Sequence, residues 1–184
     1  MKELSKDILL FENEVPNRII NTLNNLRVTK EDIRFELNHH EREFSIFKNW
    51  WGKEFEPMIM RYFLQYYVPE ENMFLNGDGL KEYVKFKWRE IYFYRYTVDS
   101  STNSHKMLHW DFSQFTFVIC LTDDYEGGLL SFPRQDEHIR LKKGDLVLFP
   151  GGLTHPHYVN PTTGGVRDVL VGQILPQQQD HEIK

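Results

Sequence analysis

Apolar positions follow two patterns along this chain. Over the first third they recur at helical spacing around short extended runs. From about residue 83 onward they come as many brief β-like bursts. Ile8-Leu9-Leu10-Phe11 is an apolar run of strand length and predicts a first strand. Pro16 stands where a helix tolerates proline, in its first turn, and Ile19, Ile20, Leu23 and Leu26 keep helical spacing. A short amphipathic helix over 17–26 is the expectation. Ile33, Phe35 and Leu37 alternate as in a strand, and His39-His40 reads as a polar turn or strand end. The aromatic-rich segment from Phe44 to Trp51 reads as core packing, with an entrance lid as the alternative. Phe55, Ile59, Tyr62, Phe63 and Tyr66 form a helical stripe that predicts a strong helix, with Pro57 near its start and a sheet beneath it. Asn76 to Gly79 is a loop.

In the second half, Tyr92, Tyr94 and Tyr96 alternate with Ile91, Phe93 and Arg95. Asp99 to Ser104 is a polar loop. Phe115 to Leu121 is nearly continuous in apolar residues, which predicts a strand buried on both faces. Turns at Gly127-Gly128 and at Lys142 to Asp145 introduce strands Leu129 to Phe132 and Leu146 to Phe149. Pro156 to Val159 and Arg167 to Leu175 are the last two strands, with a turn over 160–165 between them. Many short strands separated by regular turns mean a barrel or a sandwich.

At 184 residues the chain suits one domain spanning 1–184. Within it, a strand–helix region 1–82 is expected to pack on a β core over 83–176, followed by a polar tail over 177–184 that frays. An aromatic share of 15% favours an aromatic-packed β core. The net charge of −5 gives no support for nucleic-acid binding, and Lys85 to Arg89 reads as an ordinary solvated face. Cys120 is the only cysteine. An intrachain disulfide and a cysteine-rich zinc site are thereby excluded, and Cys120 reads as a small core residue. No stretch has the length of a signal core or a membrane span, so a cytoplasmic location without membrane contact is expected.

The candidate chemistry centres on His109-Trp110-Asp111. On a strand, positions i and i+2 share a face, so His109 and Asp111 can reach one metal while Trp110 turns into packing. The triple is weak by itself. His155 and His157 are also two apart, and periodicity leaves open which of them is the second imidazole. Arg167 stands beside the apolar run Val169-Leu170-Val171, so its backbone is enclosed and the guanidinium needs an anion. Asp168 points to the opposite face, which makes a ligand carboxylate the sharper partner. Two imidazoles and a carboxylate suit ferrous iron and leave coordination positions open; an arginine fork suits the far carboxylate of a keto-diacid. A zinc hydrolase is a weaker reading, because no general base stands out and Arg167 would lack a role.

These residues sit in a wider pattern. Ile8 to Asn13 with Pro16, Arg95-Tyr96 before His109-Trp110-Asp111, Glu126-Gly127-Gly128 through Pro133, Lys143-Gly144-Asp145 with Leu148-Phe149-Pro150, and His157 through Arg167 occur in this order. Together they resemble the prolyl 4-hydroxylase-type Fe(II)/2-oxoglutarate-dependent dioxygenases. The resemblance implies a mainly β fold with flanking helices around a double-stranded β-helix (jelly-roll or cupin-like) core. It implies His109, Asp111 and His157 as iron ligands, His157 being the residue ten before Arg167. It also implies Arg167 and Tyr96, with Thr116 and Leu130, around 2-oxoglutarate, and no catalytic side chain beyond the iron centre. Fe(II), 2-oxoglutarate and O2 are the implied cofactors, with ascorbate as an accessory. The expected reaction is hydroxylation of a prolyl residue in a peptide or protein. The alternatives are the same chemistry on another side chain, a free amino acid or a small metabolite, or a non-catalytic binding module. The chain departs from the pattern in the loop Asp99 to Leu108, at Thr162 where the family carries Val, and over 27–54.

Overall fold

The computed structural model describes residues 1–5, 7–29, 32, 34–57, 59, 84–98 and 104–178. The N-terminal part holds β1 (Lys2–Ser5), β2 (Ile8–Phe11), α1 (Asn17–Val28), β3 (Arg34–Glu36) and α2 (Glu41–Trp50). Then come β4 (Val84–Thr97), β5 (Lys106–His109), β6 (Phe115–Cys120), β7 (Tyr125–Gly127) and β8 (Leu130–Phe132). The chain continues through β9 (Glu137–Ile139), β10 (Leu146–Pro150), β11 (His157–Val159) and β12 (Thr162–Gln178).

Two antiparallel sheets result. The larger runs β1-β2-β10-β6-β12-β4-β3, with β7 paired to β12; the smaller runs β5-β11-β8-β9. Strand alternation divides the large sheet between two cores. Phe115, Phe117 and Ile119 of β6 join Leu146, Leu148 and Leu170 under the helices. Val118 and Cys120 join Val147, Phe149, Val169 and Val171 on the other face, against Leu130, Phe132, Ile139 and Val159 of the small sheet. The sheets therefore face one another across an apolar interior, as in a jelly roll. β6 reads as one continuous apolar run because both of its faces are covered.

The strand–helix region is woven into the large sheet and does not merely pack on it: β1 and β2 extend one edge, and β3 the other. α1 buries Ile19, Ile20 and Leu23, as its periodicity predicts. α2 is an element the hydrophobic pattern left unassigned. Phe47, Trp50, Trp51 and Phe55 are buried, and the Trp51 ring packs tilted 4.6 Å from Phe117 and edge-on 5.0 Å from Trp88. The lid alternative for Phe44 to Trp51 is therefore corrected to core packing. Residues 51–55 form one π-helical turn, and most of the helix expected from Phe55 to Tyr66 lies outside the described residues. So do the loop at Asn76 to Gly79 and most of that at Asp99 to Ser104.

β12 is longer than its pattern suggests. It starts at Thr162, inside the expected turn, and continues to Gln178, where fraying was expected from 177, because β4 pairs with it through Gln178↔Val84. Gly172 lies on it beneath an aromatic ring: a Cβ there would stand 2.1 Å from Cε1 of Phe117. On the helix-facing side, Asp168 is held by Arg95 (Nε–Oδ1 2.8 Å, a second nitrogen to Oδ2 2.6 Å) and by Arg27 at 3.2 Å. Among the described residues, no helix is long and apolar enough to cross a membrane.

Candidate metal and cosubstrate site

His109 closes β5 and His157 opens β11, and the two face each other directly in the antiparallel pairing. Their ring centroids are 4.4 Å apart. Asp111 lies two residues past His109, beyond the strand end. Its Oδ1 is 3.8 Å from His109 Nε2 and its Oδ2 3.6 Å from His157 Nε2. The three ligand atoms all lie within 4.8 Å of one another. Because Asp111 has left the strand, the alternation rule fails for its neighbour. Trp110, expected to turn into packing, is 45% exposed and stands edge-on to Phe112.

Each imidazole is aimed by the main chain. His109 Nδ1 bonds to the carbonyl of Met107 at 2.8 Å, and His157 Nδ1 to that of His155 at 3.1 Å. Donation from Nδ1 leaves both Nε2 lone pairs facing Asp111. Burial pushes the His157 pKa down from 6.5 to about 4, with Asp111 opposing and His109 adding to the shift, so this ring is neutral near pH 7. Two imidazoles and a carboxylate on one side form a donor set that could hold a divalent ion by a single face. His155, the other candidate, is outside this cluster; its Nδ1 meets Thr154 Oγ1 and its carbonyl steadies His157.

The carboxylate is also oriented. Thr116 Oγ1 donates to Asp111 Oδ2 at 2.6 Å and Gln173 Nε2 to Oδ1 at 3.1 Å. Thr116 lines the cavity as expected, but its hydroxyl serves Asp111. Gln173 was missed by sequence reading, although it shares β12 parity with Arg167.

A cavity of about 350 Å3 connects this cluster to Arg167, with Tyr96, Leu130, Val169 and Val171 among its walls. Arg167 is 1% exposed. Its Cζ lies 5.0 Å from the Tyr96 ring centroid and 5.8 Å from that of Tyr125. Burial raises both phenols to about 12 against the opposing pull of Arg167, so both stay neutral. Arg167 Nε has no hydrogen-bond partner among the described residues. An enclosed guanidinium without an anion is costly, so the cavity floor suits a ligand carboxylate. Gly128 permits this placement: at φ +62°, a Cβ there would stand 2.9 Å from Arg167 Cδ. Tyr125 is a second missed residue. It sits one position before the Glu-Gly-Gly turn, its hydroxyl bonds to the Leu141 carbonyl, and Arg140 covers its ring at 4.7 Å.

Known proteins carry the same frame. Residues 91–174 match the 2OG-Fe(II) oxygenase superfamily. Procollagen-lysine,2-oxoglutarate 5-dioxygenase 1 of Gallus gallus is 35% identical over 126 residues, covering 66% of this chain and 16% of that protein. The chain thus spans about a sixth of the length of that curated relative. The viral collagen prolyl hydroxylase of Paramecium Bursaria Chlorella virus-1 superposes with a TM-score of 0.61 at 17% identity, over 91% of this chain and 88% of that one. A Trichoplax adhaerens prolyl hydroxylase, solved in complex with a hypoxia inducible factor peptide fragment, gives 0.64 at 14% identity, over 92% and 83%. The fold is the double-stranded β-helix of these enzymes. Fe(II), 2-oxoglutarate and O2 are the cofactors of the family, and the donor set and the enclosed arginine fit the first two. On this fold, this spacing and this match, residues 91–174 carry the pattern of the 2OG-Fe(II) oxygenase superfamily.

Proposed function

We propose that the protein is an Fe(II)- and 2-oxoglutarate-dependent dioxygenase that hydroxylates a prolyl residue in a peptide or protein, with decarboxylation of 2-oxoglutarate to succinate. One observation carries the reading: His109, Asp111 and His157 share a cavity with a buried arginine that has no anion among the described residues. His109, Asp111 and His157 would hold the iron. Arg167, with the Tyr96 ring against it, would hold the far carboxylate of 2-oxoglutarate, and Leu130 would supply an apolar wall. When bound, the iron supplies the oxygen-activating chemistry. The chain's own part is to aim the two imidazoles, to fix Asp111 through Thr116 and Gln173, and to keep water from the inner cavity with Val118, Val169 and Val171.

A second reading, hydroxylation of a lysyl residue, is favoured by the 35% match to a procollagen-lysine dioxygenase. One assay tests both. The protein is incubated with Fe(II), 2-oxoglutarate and prolyl or lysyl peptides, and succinate release is measured with peptide mass. The expected result is succinate with a gain of one oxygen on the prolyl peptide. Oxygen gain on lysyl peptides alone selects the second reading. Absence of succinate under every condition removes both.

A further inference from the structure

The metal centre leaves the charges at the cavity mouth unexplained. β4 turns Tyr92, Tyr94 and Tyr96 into the cavity as a ladder, with the last two rings 4.6 Å apart. The innermost, Tyr96, lies against Arg167. The outer two are each met by a cation from a different strand. Arg34 of β3 places its Cζ 4.1 Å from the Tyr92 centroid and also bonds Glu90 at 2.8 Å. Lys106 of β5 places its Nζ 5.8 Å from the Tyr94 centroid.

Simple alternation would aim Lys106 away from His109, three residues on. The pairing with β11 shows why it does not. His157 opposes His109 and Val159 opposes Lys106, so three steps on β5 match two on β11. The extra residue is a β-bulge, and it returns Lys106 to the face of His109. Both side chains line the one cavity. Because they match two residues of β11 at about 3.3 Å each, their Cα atoms stand roughly 7 Å apart along the strand.

Among the described residues the mouth thus holds two cations and one carboxylate, and that carboxylate is already engaged by Arg34. Lys106 makes no ion pair among the described residues. Tyr92 and Tyr94 each already meet one of the chain's own cations. An incoming ammonium meets like charge, whereas an incoming carboxylate meets Lys106. Resting on the dioxygenase reading above, we propose that Lys106, reinforced by Arg34, is a specificity determinant that selects a peptide with an acidic side chain within about three residues of the one hydroxylated. The same charges weigh against lysine at or beside the target.

Two prolyl peptides that differ only in a Glu or a Lys two residues from the proline test this. Each is incubated with the full chain, Fe(II) and 2-oxoglutarate, and kcat/KM is read from the gain of one oxygen. The Glu peptide is expected to be preferred on the order of 3–10-fold at low salt, with the preference shrinking as ionic strength rises. In Lys106→Glu the preference is expected to reverse. Because the readout is a ratio, a general folding defect lowers both rates and leaves it unmoved. A wild-type ratio near one, a preference for Lys, a ratio unchanged in Lys106→Glu, or turnover of neither peptide overturns the proposal. Preference for free proline over both peptides also overturns it, since the carboxylate then comes from the amino acid itself. Succinate release, with or without peptide, reads the parent assignment separately; its absence under every condition would sink that assignment, and this proposal with it.

Discussion

Thr116 and Asp111 are joined by a 2.6 Å hydrogen bond from the threonine Oγ1 to the carboxylate Oδ2, across the step from the β5–β6 loop into β6. The hydroxyl competes with no water, since Thr116 is fully buried. Thr116→Val keeps the shape and removes the donor, leaving Asp111 tethered on one side by Gln173. Outer partners of metal ligands typically contribute 10–100-fold in affinity, so Fe(II) affinity is expected to fall by about tenfold or more. Thr116→Ser should retain it. Metal titration of the three proteins checks the pair.

Arg167 makes a prediction in two directions. Without cosubstrate the guanidinium is enclosed and lacks an anion among the described residues, so Arg167→Met is expected to leave the stability of the ligand-free protein unchanged or higher. The same change removes the fork for a carboxylate, and 2-oxoglutarate affinity is expected to fall on the order of 100-fold while Fe(II) affinity holds. Thermal melts with and without 2-oxoglutarate, beside an iron titration, read both effects. Equal losses of iron and cosubstrate would contradict the assigned roles.

Gly172→Ala tests the packing between β12 and the aromatic layer. The added methyl meets Phe117 at 2.1 Å, and that ring is pinned by Phe47, Trp51 and Trp88. Overpacking of this kind costs about 1–3 kcal/mol, which denaturant unfolding would measure. Pairing the change with Phe117→Leu should recover most of the loss.

The buried His157 gives the metal-free protein a pH-dependent stability. Its folded pKa is about 4 against 6.5 in the unfolded chain. Between these values the unfolded chain binds a proton that the folded chain does not, so stability falls as pH drops through that window and is flat above it. His157→Leu should flatten this part of the curve. Unfolding at pH 4–7 in the presence of a chelator, wild type against variant, supplies the measurement.

Elements whose pattern is dictated by burial alone were legible in the sequence. β2, α1, β6 and β10 came from apolar runs or periodicity, because each packs on the faces its pattern implies. α2 was not, although Phe47, Trp50, Trp51 and Phe55 keep helical spacing; the aromatics that mark it also suit a loop or a lid. The site was legible where spacing carries chemistry. His109, Asp111 and Arg167 were singled out by residue type and position, and the resemblance chose His157 over His155. What stayed hidden depends on irregular backbone. Trp110 reaches the surface because the strand has ended, and Lys106 reaches the cavity because β5 carries an extra residue. Gln173 and Tyr125 act through partners distant in sequence, which a local pattern does not encode.

The two imidazoles are steered by oxygens that belong to the peptide unit, at Met107 and His155. Nearly every amino acid would furnish the same oxygen. Position 107, whose side chain is exposed, can therefore change in size, charge or polarity while the orientation of the His109 ring persists. The rim of the barrel can be redecorated around a fixed centre, and a new clientele acquired without rebuilding the machinery that serves it.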